Sequence, residues 1–126
     1  MKEFEKWIKK ADGDLYNVDL LLKSENCQPD ICCYHAQQCA EKYIKAYLVS
    51  RQQHFPFTHD LAKLLDLCLP VNKNFEQLKI TSFKLTDYAI TPRYPDDIED
   101  LTIEDAKLAY ANATIIKEFI LKHFFE

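Results

Sequence analysis

Four polar residues, His35, Gln38, Lys42 and Lys45, recur at helical spacing in the run His35-Ala36-Gln37-Gln38-Cys39-Ala40-Glu41-Lys42-Tyr43-Ile44-Lys45-Ala46. On one helix they step along the same side. One imidazole, one amide and two ammonium groups in a row could face a single anion. Charge-assisted hydrogen bonds to phosphate are the strongest of the ordinary kind. The competing reading is a solvated flank of a buried helix, with Glu41 and Lys45 paired at the surface.

Two further groups invite a chemical reading. In Tyr88-Ala89-Ile90-Thr91-Pro92-Arg93-Tyr94-Pro95-Asp96, two prolines stiffen the chain around Arg93. Its planar fork suits a carboxylate or a phosphate, and it serves equally to lock the loop to Asp96 or Asp97. In Thr58-His59-Asp60, His59 is a donor to a ligand or a group titrating near neutral pH. Capping of the following helix by Thr58 or His59, or dipole complementation by Asp60, is the structural alternative. Metal chemistry is not expected. His35 and Cys39 lie four apart, but two ligands make no zinc site and there is no Cys-x-x-Cys. Cys39 and the Cys32-Cys33 pair suit core packing. The acids Asp96, Asp97, Glu99 and Asp100 suit a solvated loop. No serine or cysteine sits in a nucleophile elbow, so no cofactor and no catalytic set are assigned.

The elements that must position these groups are helical. Phe4, Ile8, Ala11, Leu15, Val18 and Leu22 form a stripe of 3.6-residue period over about residues 2–24. Lys9, Lys10, Asp12 and Lys23 fall on the other side. Gly13 inside this stripe costs about 1 kcal/mol against alanine and is expected to permit a close helix contact. Pro29 suits the first turn of a second helix, about 30–51. That helix has a wide apolar face of Cys32, Ala36, Cys39, Ala40, Tyr43, Ile44 and Tyr47. A loop around Pro56 precedes a short helix, about 59–68, bearing Leu61, Leu64, Leu65 and Cys68. Asn74 with Gln77 resembles a capping box for a fourth helix, about 75–89, with Phe75, Leu78, Ser82, Leu85 and Tyr88 inward. Residues 90–101 read as an irregular loop. Thr102 with Asp105 is a second capping box, opening a last helix to about 124. Its stripe is Ile103, Ala106, Tyr110, Ala113, Ile116, Ile120 and Phe124. The expectation is one all-α domain over residues 1–126, a four- to five-helix up-and-down antiparallel bundle.

Composition narrows the function classes. At 126 residues the chain can bury roughly two-thirds of its unfolded surface. A single glycine excludes phosphate-cradling glycine loops and argues against turn-rich β folds. A net charge of −4 argues against a duplex-DNA binder and leaves room for a local anion or RNA-end site. Five cysteines in irregular spacing, a charged N-terminus and no apolar run near ~20 residues point to a cytoplasmic protein off the membrane.

Three segments together resemble the HEPN superfamily of small helical domains, in its stand-alone prokaryotic form. They are His35-Ala36-Gln37-Gln38-Cys39-Ala40-Glu41-Lys42, Thr58-His59-Asp60-Leu61 and Arg93-Tyr94-Pro95-Asp96. The resemblance implies a helical bundle, often a homodimer, associated with nucleotide binding. It also implies pairing with a minimal nucleotidyltransferase in toxin–antitoxin or related systems. It makes His35, Gln38, Lys42, His59 and Arg93 candidates for a nucleotide or phosphate pocket, with Tyr94 placed to stack on a base. One branch of the superfamily consists of metal-independent ribonucleases with an arginine, a polar residue next to it, and a histidine after four to six intervening residues. Here Arg51 is followed by His54, too close, and by His59, too far; Arg93 has no histidine before His123. The leading expectation is therefore a non-catalytic nucleotide-binding and interaction module. The alternatives are a ribonuclease toxin using Arg51 with His54 or Arg93 with His59, and a dimeric scaffold presenting Phe119, Phe124 and Phe125.

Overall fold

The computed structural model describes residues 1–90 and 101–124, with α1 Glu3–Leu22, α2 Pro29–Ser50, α3 Leu61–Cys68, a 3-10 helix Lys73–Leu78, α4 Lys79–Ile90 and α5 Ile103–His123. Every element is helical among these residues. Arg93, Tyr94 and the acids that follow them, like Phe125, lie outside the described residues.

Each long helix follows from its stripe. In α1, Ala11, Leu15 and Val18 are buried, while Phe4, Ile8 and Leu22 are half-buried against the core. In α2 all seven predicted apolar positions are buried. Pro29 opens it, where the missing N–H has no helical partner in any case. In α5 the predicted capping box forms: the Thr102 hydroxyl accepts from the Asp105 N–H, and the Asp105 carboxylate accepts from the Thr102 N–H.

α2 is the centre of the bundle, packed against α1, α3, α4 and α5. α1 runs antiparallel to it, since Asp14 meets both His35 and Lys42 and Asp12 meets Tyr43. α5 runs antiparallel to α1, with Phe4 on Phe124 and Asp12 bonded to Lys117. At one level Asp12 accepts from both the Tyr43 hydroxyl and the Lys117 ammonium, joining all three long helices. At the far end of α2 the Arg51 guanidinium donates to the carbonyls of His123 and Phe124, both at 3.1 Å, and closes the C-terminus of α5.

Several expectations are corrected. The fourth helix does not open at Asn74 with Gln77. Asn72 caps a 3-10 turn by accepting from the Asn74 N–H, and regular α-helix begins only at Lys79. Phe75 and Leu78 remain buried because the tighter turn keeps them on one side. The α3 cap is Asp60, whose carboxylate accepts from the Ala62 N–H, rather than Thr58 or His59. Ile103 is exposed, because it lies in the first turn of α5 beyond the packed layer. Phe119 is half-buried, its ring edge-on to Phe75 at 5.0 Å, so it belongs to the core's margin rather than to a free face. Gly13 makes no close helix contact: a methyl group there would meet nothing within 4 Å.

Two outcomes follow from this packing. Gly13→Ala raises the unfolding free energy by about 1 kcal/mol in urea titrations, since no neighbour opposes the added carbon. The thiols of Cys39 and Cys68 are pushed by burial from an ordinary value of 9.0 up to about 12. The folded state therefore keeps them neutral while the unfolded chain ionises them. Stability is full below about pH 9 and falls as the pH rises from there towards 12. Cys68→Ala flattens that alkaline loss when urea midpoints are compared between roughly pH 8 and pH 10.

Candidate functional site

The polar row on α2 is real but divided. At ~100° per residue, His35 and Lys42 return to nearly the same azimuth, while Gln38 and Lys45 lie some 60–80° round the helix. The first pair faces α1 and the second faces the loop before α3. His35 and Lys42 share one carboxylate, and Lys45 finds another.

On the α1 side, Asp14 takes both. His35 Nδ1 lies 2.9 Å from Asp14 Oδ1, and Lys42 Nζ donates to Oδ2 at 2.6 Å. Asp14 is 8% exposed, so its charge is matched by Lys42 rather than by water. The carboxylate on Nδ1 favours the Nδ1–H tautomer and leaves Nε2 as the ring nitrogen without a partner among the described residues.

On the α3 side, Glu41 is the anchor. It accepts from Lys45 at 3.0 Å and from Gln37 at 3.4 Å, and lies 2.9 Å from His59 Nδ1. Gln37 also donates to the His59 carbonyl at 3.0 Å, and Gln38 donates to the Gln37 side chain at 2.8 Å. The Glu41–Lys45 pair is therefore not at the surface, as expected, but buried at 3% and 6% exposure. Trp7 of α1 and Phe55 of the loop cover it, each with its ring centroid about 5.5 Å from the Lys45 ammonium.

Beside the Asp14 cluster, α1 and α2 leave an open hollow of about 530 Å³. Lys6, Lys9 and Lys10 of α1 and Lys42 of α2 line it, with Gly13, Asp14 and Asn17 between them. Of the predicted residues, Lys42 lines the hollow and His35 adjoins it through the shared Asp14. Gln38 and His59 belong to the Glu41 network instead. Arg93 and Tyr94 fall outside the described residues. Asp12, Asp14 and Lys117, and the three α1 lysines as part of a site, are residues that the sequence reading left unassigned. Asp14 carried a signal, since it follows Ala11 by three and precedes Val18 by four. That spacing puts a carboxylate at the margin of the apolar stripe. The Arg51/His54 pairing gains no support. The Arg51 fork is committed to the end of α5, and His54 is exposed in the loop.

An all-helical bundle with a central polar-edged helix is thus the class of the protein, and comparison with known proteins gives the family. The HEPN domain model matches residues 4–123, and the chain belongs to the HEPN domain family. In structure it is similar to ST0689, described as an archaeal HEPN homologue. The TM-score is 0.75 at 24% identity, covering 98% of this chain and 99% of that one, which shows the shared fold. In sequence it is similar to "Putative toxin MJ1304" of Methanocaldococcus jannaschii, 26% identical over 136 residues. That match covers 94% of this chain and 88% of the relative.

The two kinds of ion pair should separate cleanly in stability measurements. Glu41→Ala strands a buried ammonium and costs about 3 kcal/mol or more in chemical denaturation. Glu76→Ala, which removes an exposed partner of Lys79, changes stability by less than about 0.5 kcal/mol.

Proposed function

We propose that this HEPN domain is a non-catalytic module that binds a nucleotide or another phosphate-bearing ligand, and that it acts with a minimal nucleotidyltransferase in a toxin–antitoxin-like pair. The observation that carries the reading is the lysine-lined hollow between α1 and α2, with Lys42 on its wall and His35 beside it. Four lysines and one aspartate line it in a protein whose net charge is −4, so the hollow is a local reversal of sign. Its size lies in the range of about 300–1,000 Å³ typical of small-ligand sites.

In this reading Lys42 contacts phosphate and His35 shares its anchor. Arg93 supplies a second cationic contact, and Tyr94 offers a ring to a base. Gln38 and His59 steady the same edge of α2 through Glu41. The likeness to a protein named as a toxin supports the paired-system context. The module works in the cytoplasm as a homodimer. No helix among the described residues is long and apolar enough to cross a membrane.

A second reading, a ribonuclease toxin, draws support from the Glu41–His59 pair, which leaves His59 Nε2 without a partner among the described residues, as a proton-transfer group requires. Two measurements separate the readings. Millimolar ATP raises the Tm of the purified domain, alone or with its co-expressed nucleotidyltransferase, and the two products co-purify. Absence of both effects would remove the binding reading. Total RNA stays intact with the wild-type protein; cleavage that disappears in His59→Ala would establish the second reading instead.

A further inference from the structure

We infer that Cys27 and Cys32 form a redox-modification site. The accessible thiol of the pair reacts with a low-molecular-weight disulfide, and the buried thiol resolves the adduct into an internal bond that ties the α1–α2 turn to the first turn of α2. The site is separate from the lysine-lined hollow and does not depend on its ligand.

The local fold brings the two thiols together. Residues 23–28 link α1 to α2, and Gln28 is the N-cap of α2. Its carbonyl accepts from the N–H groups of Ile31 and Cys32, which fixes the first turn. Cys27 is then the residue before the cap, and Cys32 is the fourth residue of the helix. Those are the two positions whose side chains meet when an apolar contact staples a helix start. Here both are cysteines, and their sulfurs lie 3.5 Å apart. A disulfide needs a separation of about 2.05 Å, so closure asks for a movement of roughly 1.5 Å. Cys27 can supply it, because it lies outside both helices and Ser24, Glu25, Asn26 and Gln28 around it are exposed.

The two thiols are unequal, as an attacking and a resolving group must be. Of the five cysteines, only Cys27 is not buried. Burial first, and then the contact with Cys27, push the Cys32 thiol from an ordinary value of 9.0 up to about 12. Cys32 is therefore protonated and out of reach of solvent, and Cys27 meets the reagent first. The Cys27 thiolate attacks one sulfur of the small disulfide, forms a mixed disulfide and expels the first small thiolate. Cys32 then loses its proton, attacks the Cys27 sulfur and expels the second. Two protein thiols are oxidised by two electrons, the small disulfide is reduced to two thiols, and these take up the two protons. In a compartment that keeps thiols reduced, such a pair is open at rest and closes when the thiol pool is oxidised. The closed bond restricts the turn in the unfolded chain and so stabilises the α1–α2 hairpin.

The test is incubation of the reduced full chain with glutathione disulfide under native conditions, read by intact mass, peptide mapping and thermal unfolding. The expected wild-type product is lighter by two hydrogens and carries a bond between Cys27 and Cys32. It unfolds about 4 °C or more above the reduced form, and dithiothreitol reverses both changes. Cys32→Ala stops at one glutathione held on Cys27, and Cys32→Val does the same should the alanine variant not fold. Cys27→Ser takes up no glutathione while folded. A stable glutathione adduct on the wild-type protein, a bond that uses Cys33, or closure that appears only in urea overturns the site and leaves the pair as an apolar staple. A closed form that melts below the reduced one overturns it as well.

Discussion

A helix packed against four others cannot leave a charged side chain facing nothing. That constraint organises this protein. α2 carries Gln37, Gln38, Glu41 and Lys45 into places with little or no access to water. Each must bring a partner, because an unmatched buried charge costs several kcal/mol. Glu41 gathers Lys45, Gln37 and His59, while Asp14 reaches across from α1 to gather His35 and Lys42. The two carboxylates thus decide which basic groups are occupied by the fold and which remain for a ligand. Almost everything cationic on α2 is occupied. Around the hollow, what remains lies on α1, in Lys6, Lys9 and Lys10.

The helices were readable because their signals are local and periodic. The stripe from Phe4 to Leu22, Pro29 at a helix start and the Thr102/Asp105 box each act within a few turns, and each is realised. The start of α4 was misplaced because Asn72 and Asn74 both resemble caps, and only the chain's path after Pro70 selects Asn72. The site was less readable for a different reason. Spacing showed that His35, Gln38, Lys42 and Lys45 share a side of α2, but it carries no information about which neighbouring helix each one meets. The division of that row between Asp14 and Glu41 depends on how α1 and the loop before α3 pack, which is a property of the fold rather than of the helix. Lys6, Lys9 and Lys10 looked like an ordinary solvated face, and only the position of Lys42 across from them makes a hollow.

ST0689 shares the fold at 24% identity. A bundle of this kind needs apolar stripes and caps. The packing does not need a glycine at position 13, and function is argued from such residues rather than from the fold. The Arg51 guanidinium is the counterexample on the same molecule. It lies 5.1 Å from the centre of the Tyr47 ring and bonds to the end of α5, a role in closure rather than in binding.

Asp12 and Asp14, either side of Gly13, bond to opposite neighbours: one to Tyr43 and Lys117, the other to His35 and Lys42. Apolar stripes repeat every turn, so grease alone would tolerate α1 sliding along its groove by four residues. The acids do not repeat. A slip of one turn would set Ile8 or Tyr16 against Lys117, and Lys10 or Val18 against Lys42, parting the buried Asp14 from its cation in either direction. Those two side chains act as a ratchet tooth, permitting one axial setting of the first helix and thereby holding its lysines level with Lys42.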